Sequence, residues 1–356
     1  MLIGIIGLIN YVQDPYHFFK SNFEDSYNIE KHWRIIKPYW FLEREYNDIV
    51  IGSSRSQSGF NPDLIQKLRG SQCFNFGLPG MSYKESYQTI KFISDRYPEE
   101  DIHLFVGLDS YLMPFHQEAM NRKVEDWQWV DFSPLSLKLQ YLNLFGKILF
   151  SKSALHQSIL IAVKPNDKLN AWKKNGFSIM GKNKFKAFKL NQNVEDWRKR
   201  ESFILSDIKK EYFYKSIDLL CERPNIKATF IHLPMHNTVR AVLEELEPEL
   251  YSDYKILTAE YILNKKLECG LDIEIYDYLI CNSNNGESLL TGKSEYFRDL
   301  SHLRSIYGNK ILNEIYGKDS LNLGYKVSAM DAYEKFLIED NLKLTLWIAQ
   351  NQSMLN

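Results

Sequence analysis

The feature that most constrains this chain is a set of five short apolar runs. Each is rich in β-branched or aromatic residues and closed by turn residues, and helical patterns separate them. The runs are Asp48–Ser53 (DIVIGS), Gln72–Leu78 (QCFNFGL), Asp101–Asp109 (DIHLFVGLD), Lys227–Leu233 (KATFIHL) and Leu271–Leu279 (LDIEIYDYL). Between them, Asn61-Pro62 opens a helix with Asn as cap and Pro at its first position. Ser82 caps the next helix, with Glu85 three residues on as a capping box and Tyr83, Tyr87 and Ile90 along one face. Ser206–Cys221 and Ser305–Tyr316 read as further helices. Strands that are apolar on both faces and alternate with helices predict a mostly parallel, five-stranded sheet covered on both sides, a three-layer α/β/α sandwich. In such sheets ligands bind beyond the carboxyl ends of the strands.

The pattern breaks between about 113 and 204, which reads as a large insertion. Asp126–Phe132 (DWQWVDF) is aromatic and polar, and 164–200 carries eleven Lys or Arg against three acids. A solvated basic insertion is the plainer reading, and an anionic membrane or polymer surface the sharper one. Arg240–Lys255, with four glutamates, reads as an exposed helix, and 321–356 as a helical extension. The chain has 356 residues and a net charge of −1, which argues against a dedicated nucleic-acid binder.

Leu2–Val12 (LIGIIGLINYV) is apolar but interrupted by Asn10. It is shorter than the roughly 20 residues of a spanning helix, and neither a basic flank nor a cleavage site marks it as a signal peptide. A buried helix and the distal end of a membrane anchor, within a segment 1–20, remain equal readings. Cys73, Cys221, Cys269 and Cys281 are widely spaced, without a CxxC pair. Their spacing neither demands nor forbids a disulfide.

Four places at the predicted active edge carry chemistry. Gly52-Ser53-Ser54-Arg55-Ser56 follows the first strand, where a serine hydroxyl stands exposed beside backbone N–H groups. A serine-rich turn and a phosphate nest are its alternatives. Gly80 follows the second strand and can aim an N–H into the cleft. Gly107-Leu108-Asp109 ends the third, where Asp109 could equally cap the next segment. Asp299 and His302 precede the last helix, spaced so that the carboxylate can fix the imidazole's tautomer. His232 and His236 are four apart, but Pro234 between them speaks against a helical metal pair. His17, His32, His103, His116 and His156 lack a partner pattern, and no P-loop, GxGxxG or HExxH occurs.

Taken together, these blocks resemble the SGNH (GDSL-type) hydrolase superfamily. Gly52-Ser53-Ser54 resembles its first block, with Ser53 where Asp is common and Ser54 in the nucleophile's place. Gly80 matches the second-block glycine, Gly107-Leu108-Asp109 the third with Asp for Asn, and Asp299-Leu300-Ser301-His302 the last. The resemblance is closer to an envelope branch that includes alginate O-acetylation and lipoteichoic-acid D-alanylation proteins. Asn10–Tyr16, the IGSSRS string and Phe297–His302 followed by Gly308–Leu312 carry it.

The resemblance implies a flavodoxin-like catalytic domain over 21–320 with Ser54, His302 and Asp299 as catalytic residues. It implies an oxyanion hole from Ser54, Gly80 and Asp109, and no cofactor. An Asp in that hole repels an oxyanion unless protonated, so the alternatives are a hole of two backbone N–H groups or an Asp109 that orients Arg55. Arg55, Trp127 and Trp129 are candidate substrate contacts, with Trp172 another aromatic that could stack on sugar or simply pack. The expected activity is acyl transfer or ester hydrolysis on an envelope glycan or small ester. The expected location is the extracytoplasmic face of the inner membrane, held there by the N-terminus and partnered by a membrane-bound O-acyltransferase. A plain carbohydrate esterase and an inactive scaffold for that acyltransferase are the other readings.

Overall fold

A computed structural model describes residues 2–16, 18–19, 33–109, 142–143, 145–163, 170–180, 194–197, 207–246, 248–289 and 294–355. The first elements are α1 (Leu2–Gln13), α2 (Trp33–Leu42), β1 (Asp48–Ile51), α3 (Ser54–Gly59), α4 (Pro62–Arg69) and β2 (Cys73–Asn75). Then come α5 (Tyr83–Arg96), β3 (Ile102–Leu108), α6 (Lys152–Val163), β4 (Asn170–Trp172), β5 (Ser178–Met180) and α7 (Asp207–Cys221). β6 (Ile226–His232), α8 (Asn237–Leu246), α9 (Leu250–Cys269), β7 (Ile273–Asp277), α10 (Ser305–Ile315), β8 (Tyr325–Val327) and α11 (Met330–Gln350) complete the order.

All five apolar runs become strands of one sheet, ordered β2-β1-β3-β6-β7-β8. The first five are parallel. Helices flank this sheet, giving the α/β sandwich, but it has six strands rather than five. The 321–356 segment, expected to be only helical, supplies β8, which pairs antiparallel with β7. The order turns back at β1, whose neighbours are β2 and β3, and that reversal marks the ligand crevice of flavodoxin-like sheets.

The helix signals act as written. Asn61 caps α4, Pro62 sits at its first position, and Gly70 ends it in the left-handed conformation (φ 78°). Ser82 and Glu85 form a complete capping box on α5. One core cluster gathers Val50, Phe60, Phe105, Ile231, Phe297, Leu303, Tyr307 and Ile311, packing α3, α4 and α10 against the sheet. The region read as an exposed acidic helix differs. It is two helices, α8 and α9, and Arg240 and Lys255 are buried. Arg240 pairs with Asp340 (2.9 Å) and Lys255 with Asp277 (2.9 Å), and Tyr333 of α11 donates to Asp277 (2.8 Å). Cys221 and Cys269, the last residues of α7 and α9, form a disulfide, whereas Cys73 and Cys281 are free.

The chain divides into two compact units, 46–122 with 183–356, and 1–45 with 123–182. The sheet belongs to the former. In the latter, Asn10 ties α1 to the segment of α6: its Nδ2 donates to Leu149 O (2.8 Å), and Ser158 Oγ donates to its Oδ1 (3.0 Å). Ile3, Leu8 and Val12 on α1 are exposed. Among the described residues no helix is long and apolar enough to cross a membrane. Trp172 is buried and stacks on Trp33 at 5.6 Å, so it packs rather than facing solvent.

Candidate active site

Three sequence-predicted residues meet at the carboxyl edge of the sheet. Ser54 Oγ lies 2.8 Å from His302 Nε2, across 248 residues of sequence. On the other side of the ring, His302 Nδ1 lies 2.8 Å from Asp299 Oδ2 and 2.9 Å from Oδ1. A proton on Nδ1 donates to the carboxylate and leaves Nε2 to accept from the serine hydroxyl, the tautomer this network requires.

Ser54 reaches this point because β1 ends at Ile51 and the chain turns directly into α3. Ser53 is the N-cap of that helix, its hydroxyl accepting from Arg55 N (3.1 Å), so Ser54 is the first helical residue. The N–H groups that begin a helix have no partner within it. Asn75 anchors the turn from the neighbouring strand: Nδ2 donates to Ser56 O (3.1 Å) and Phe60 O (2.8 Å), and Oδ1 accepts from Gly77 N (2.8 Å). Ser58 Oγ donates to Ser54 O at 2.9 Å and lies 3.4 Å from Leu303 O. The sequence reading did not single out Asn75 or Ser58. The only signal for Asn75 was a polar residue inside an apolar run.

The Asp299–His302 loop is held by apolar residues three apart. Phe297 and Leu303 enter one core cluster and Leu300 another. Phe297 and Leu303 form an isolated bridge, and Arg298 N donates to His302 O (2.8 Å). Asp299 Oδ1 accepts from the N–H groups of Ser301 and His302, both at 2.9 Å, in an Asx-type turn. Burial opposes the charge on Asp299. The hydrogen bond and charge of His302 and the two N–H donors outweigh it, holding the carboxyl well below its ordinary range.

Beyond Asn75 the second strand continues beside β1. Phe76 N donates to Val50 O (2.7 Å) and Leu78 N to Gly52 O (2.9 Å), which carries the Pro79-Gly80 turn to the same edge. Gly80 takes a positive φ of 62°. Neither the Ser54 nor the Gly80 N–H is engaged by another group among the described residues, so both can donate to a ligand oxygen.

Two expected contacts are placed differently. Asp109 does not turn toward the candidate oxyanion position. Its Oδ1 receives Arg55 Nη1 at 2.6 Å, and Oδ2 lies 3.4 Å from Ser53 N. Arg55 is fully buried, its Nη2 donating to Leu233 O (2.7 Å) and Pro234 O, so it does not stand at a substrate surface. There its donors meet fixed acceptors in place of water. Trp127 and Trp129 lie outside the described residues. His236 is buried, Nε2 donating to Glu287 O (2.8 Å), and His232 is buried beside Thr258. Among the described residues no group of His, Cys, Asp or Glu is arranged to hold a metal.

In comparisons with known proteins, no family model matches the chain and no curated protein matches it in sequence. What defines the site is its own geometry: hydroxyl, imidazole and carboxylate in one hydrogen-bonded line.

Proposed function

We propose that this chain is a serine-dependent acyl-transfer enzyme of the SGNH type. The observation that carries the reading is the unbroken Ser54–His302–Asp299 line at the edge of a flavodoxin-like sheet. In the proposed reaction His302 Nε2 takes the Ser54 proton as Oγ attacks an ester carbonyl. The negative charge that develops on the carbonyl oxygen is met by the Ser54 and Gly80 N–H groups. His302 then returns the proton to the leaving alcohol, and the acyl group remains on Ser54. An incoming hydroxyl, its proton drawn off by His302, attacks the acyl carbonyl, and His302 returns that proton to Ser54 Oγ as the acyl–Oγ bond breaks and the serine is freed. Asp299 stabilises the imidazolium that forms in each half.

The acceptor we assign is a hydroxyl of a bacterial envelope glycan, with water as the competing acceptor in a plain esterase. The resemblance of the blocks around Ser54, Gly80 and Asp299–His302 supports this, as does the Cys221–Cys269 disulfide, which suits an oxidising compartment. A membrane-bound O-acyltransferase is the proposed partner.

Asp109 favours a second reading, an inactive scaffold for that acyltransferase. It offers no proton to an oxyanion, and a missing donor costs about 3–4 kcal/mol in the transition state. Labelling with a fluorophosphonate separates the two. Modification of the wild type that is lost in Ser54→Ala supports the enzyme. A folded wild type that resists labelling supports the scaffold. Release of free acetate from an acetylated glycan, with no product on an added acceptor, would favour the plain esterase.

A further inference from the structure

We propose that Arg55 and Asp109 are positioning residues, a buried ionic clamp that sets the nucleophile's turn by joining three strand ends. The inference rests on the reading of Ser54 as nucleophile. Arg55 follows Ser54 directly, Asp109 follows β3, and Leu233 and Pro234 follow β6. Strands β1, β3 and β6 are consecutive in the sheet. One guanidinium therefore spans all three: Nη1 to Asp109 Oδ1 at 2.6 Å, and Nη2 to the carbonyls of Leu233, at 2.7 Å, and Pro234. Asp109 Oδ2 also faces the N–H of Ser53, the cap of the nucleophile's helix.

Stability alone is a poor explanation for such a pair. Both side chains are out of water, Arg55 at 0% and Asp109 at 1% exposure, and desolvating two charges offsets most of their attraction. Well-packed apolar residues would fill the same space at no such cost. What apolar residues cannot supply is direction. The guanidinium is a rigid planar fork whose donors leave at fixed angles, so three acceptors on the ends of two neighbouring strands, β3 and β6, fix its plane. The backbone of Arg55 is thereby fixed, and with it the adjoining Ser54 N–H and Oγ. Lysine carries the same charge but no fork, and cannot reproduce that constraint.

The clamp also accounts for an acid at a place where an oxyanion donor was expected. Asp109 serves the turn from behind, while the two backbone N–H groups face the substrate.

The test uses the purified full chain and the variants Arg55→Lys, Asp109→Asn and the double variant Arg55→Met/Asp109→Leu. Three quantities are read: the rate of fluorophosphonate labelling, kcat and KM for 4-nitrophenyl acetate, and the melting temperature. The double variant removes both charges together, so it leaves no unpaired buried ion and guards against simple misfolding. A displacement of reacting groups by about 1 Å is worth on the order of 100-fold. The expected result is a labelling rate and kcat lower by roughly ten- to a hundredfold in all three variants, with KM little changed. Arg55→Lys should fail to restore the rate, and the double variant should stay slow even where its melting temperature equals that of the wild type.

Wild-type rates in Arg55→Lys, or in a folded double variant, would overturn the clamp while leaving Ser54 as nucleophile. A faster Asp109→Asn would also overturn it, placing residue 109 in the oxyanion hole. A wild type that is not labelled at all would remove the nucleophile and the clamp together.

Discussion

Gly308 of α10 lies flat against Gly59 at the end of α3. A Cβ built on Gly308 would sit 1.9 Å from the carbonyl oxygen of Gly59. The helix that begins at the nucleophile and the helix that follows the histidine thus meet backbone to backbone, with no side chain between them. This close approach keeps Ser54 and His302 within a hydrogen bond.

Gly308→Ala places a methyl group where only backbone could yield. The two helices must separate, at a cost of about 1–3 kcal/mol. We expect a lower melting temperature and a loss of fluorophosphonate labelling larger than the loss of folded protein. Calorimetry with labelling kinetics on the same sample checks both.

Removing each member of the Ser54–His302–Asp299 line has a distinct outcome. Ser54→Ala should abolish labelling. Asp299→Asn leaves the geometry but not the tautomer, and should lower kcat by roughly 10³–10⁴. Because the imidazole must be neutral to accept the serine proton, kcat/KM should be lower in acid than at neutral pH. A profile flat from acidic to neutral pH would remove His302 as the base.

Acid should unfold this protein early. Burial pushes the pKa of His232 and of His236 down from 6.5 to about 4, so the folded state refuses protons that the unfolded chain accepts. Stability is therefore unaffected above pH 6.5 and falls as pH drops from there toward 4, by up to about 3 kcal/mol for each histidine. Asp299 acts in the same direction at lower pH. Its depressed pKa contributes stability above the ordinary carboxylate value, and that contribution is lost as pH falls toward its folded value. Thermal melts from pH 8 to 4 measure the slope, and His236→Gln should flatten it.

The Cys221–Cys269 disulfide closes a loop of 48 residues between the ends of α7 and α9. On the chain-entropy account such a loop contributes about 4 kcal/mol. Reduction, or Cys221→Ser with Cys269→Ser, should lower the denaturation midpoint accordingly. Thiol titration in denaturant should find two free cysteines before reduction and four after.

The strands were legible because four of them are buried at most positions on both faces, which writes itself as a near-continuous apolar run, and β7 alternates buried with half-buried positions. β8 was not. Tyr325-Lys326-Val327 is short, half polar and at the sheet edge, and only its pairing with β7 makes it a strand. The disulfide was equally unreadable, because cysteine spacing carries no geometry until α7 and α9 end side by side. Arg240 and Lys255 misled for a related reason. Beside four glutamates they read as surface, whereas their partners Asp340 and Asp277 come from other elements, α11 and β7, that only the packing brings against them.

By its own order of residues the chain determined its strands, its caps and the kinds of side chain delivered to the sheet's edge, since these depend on neighbours a few positions apart. Which of those side chains touch was decided only by the tertiary structure. Arg55 turned inward rather than toward solvent, Asp109 toward Arg55, and Ser54 toward a histidine 248 residues away. Direction at a site depends on groups from several strands closing around one another, and that closure exists only after the sheet has assembled.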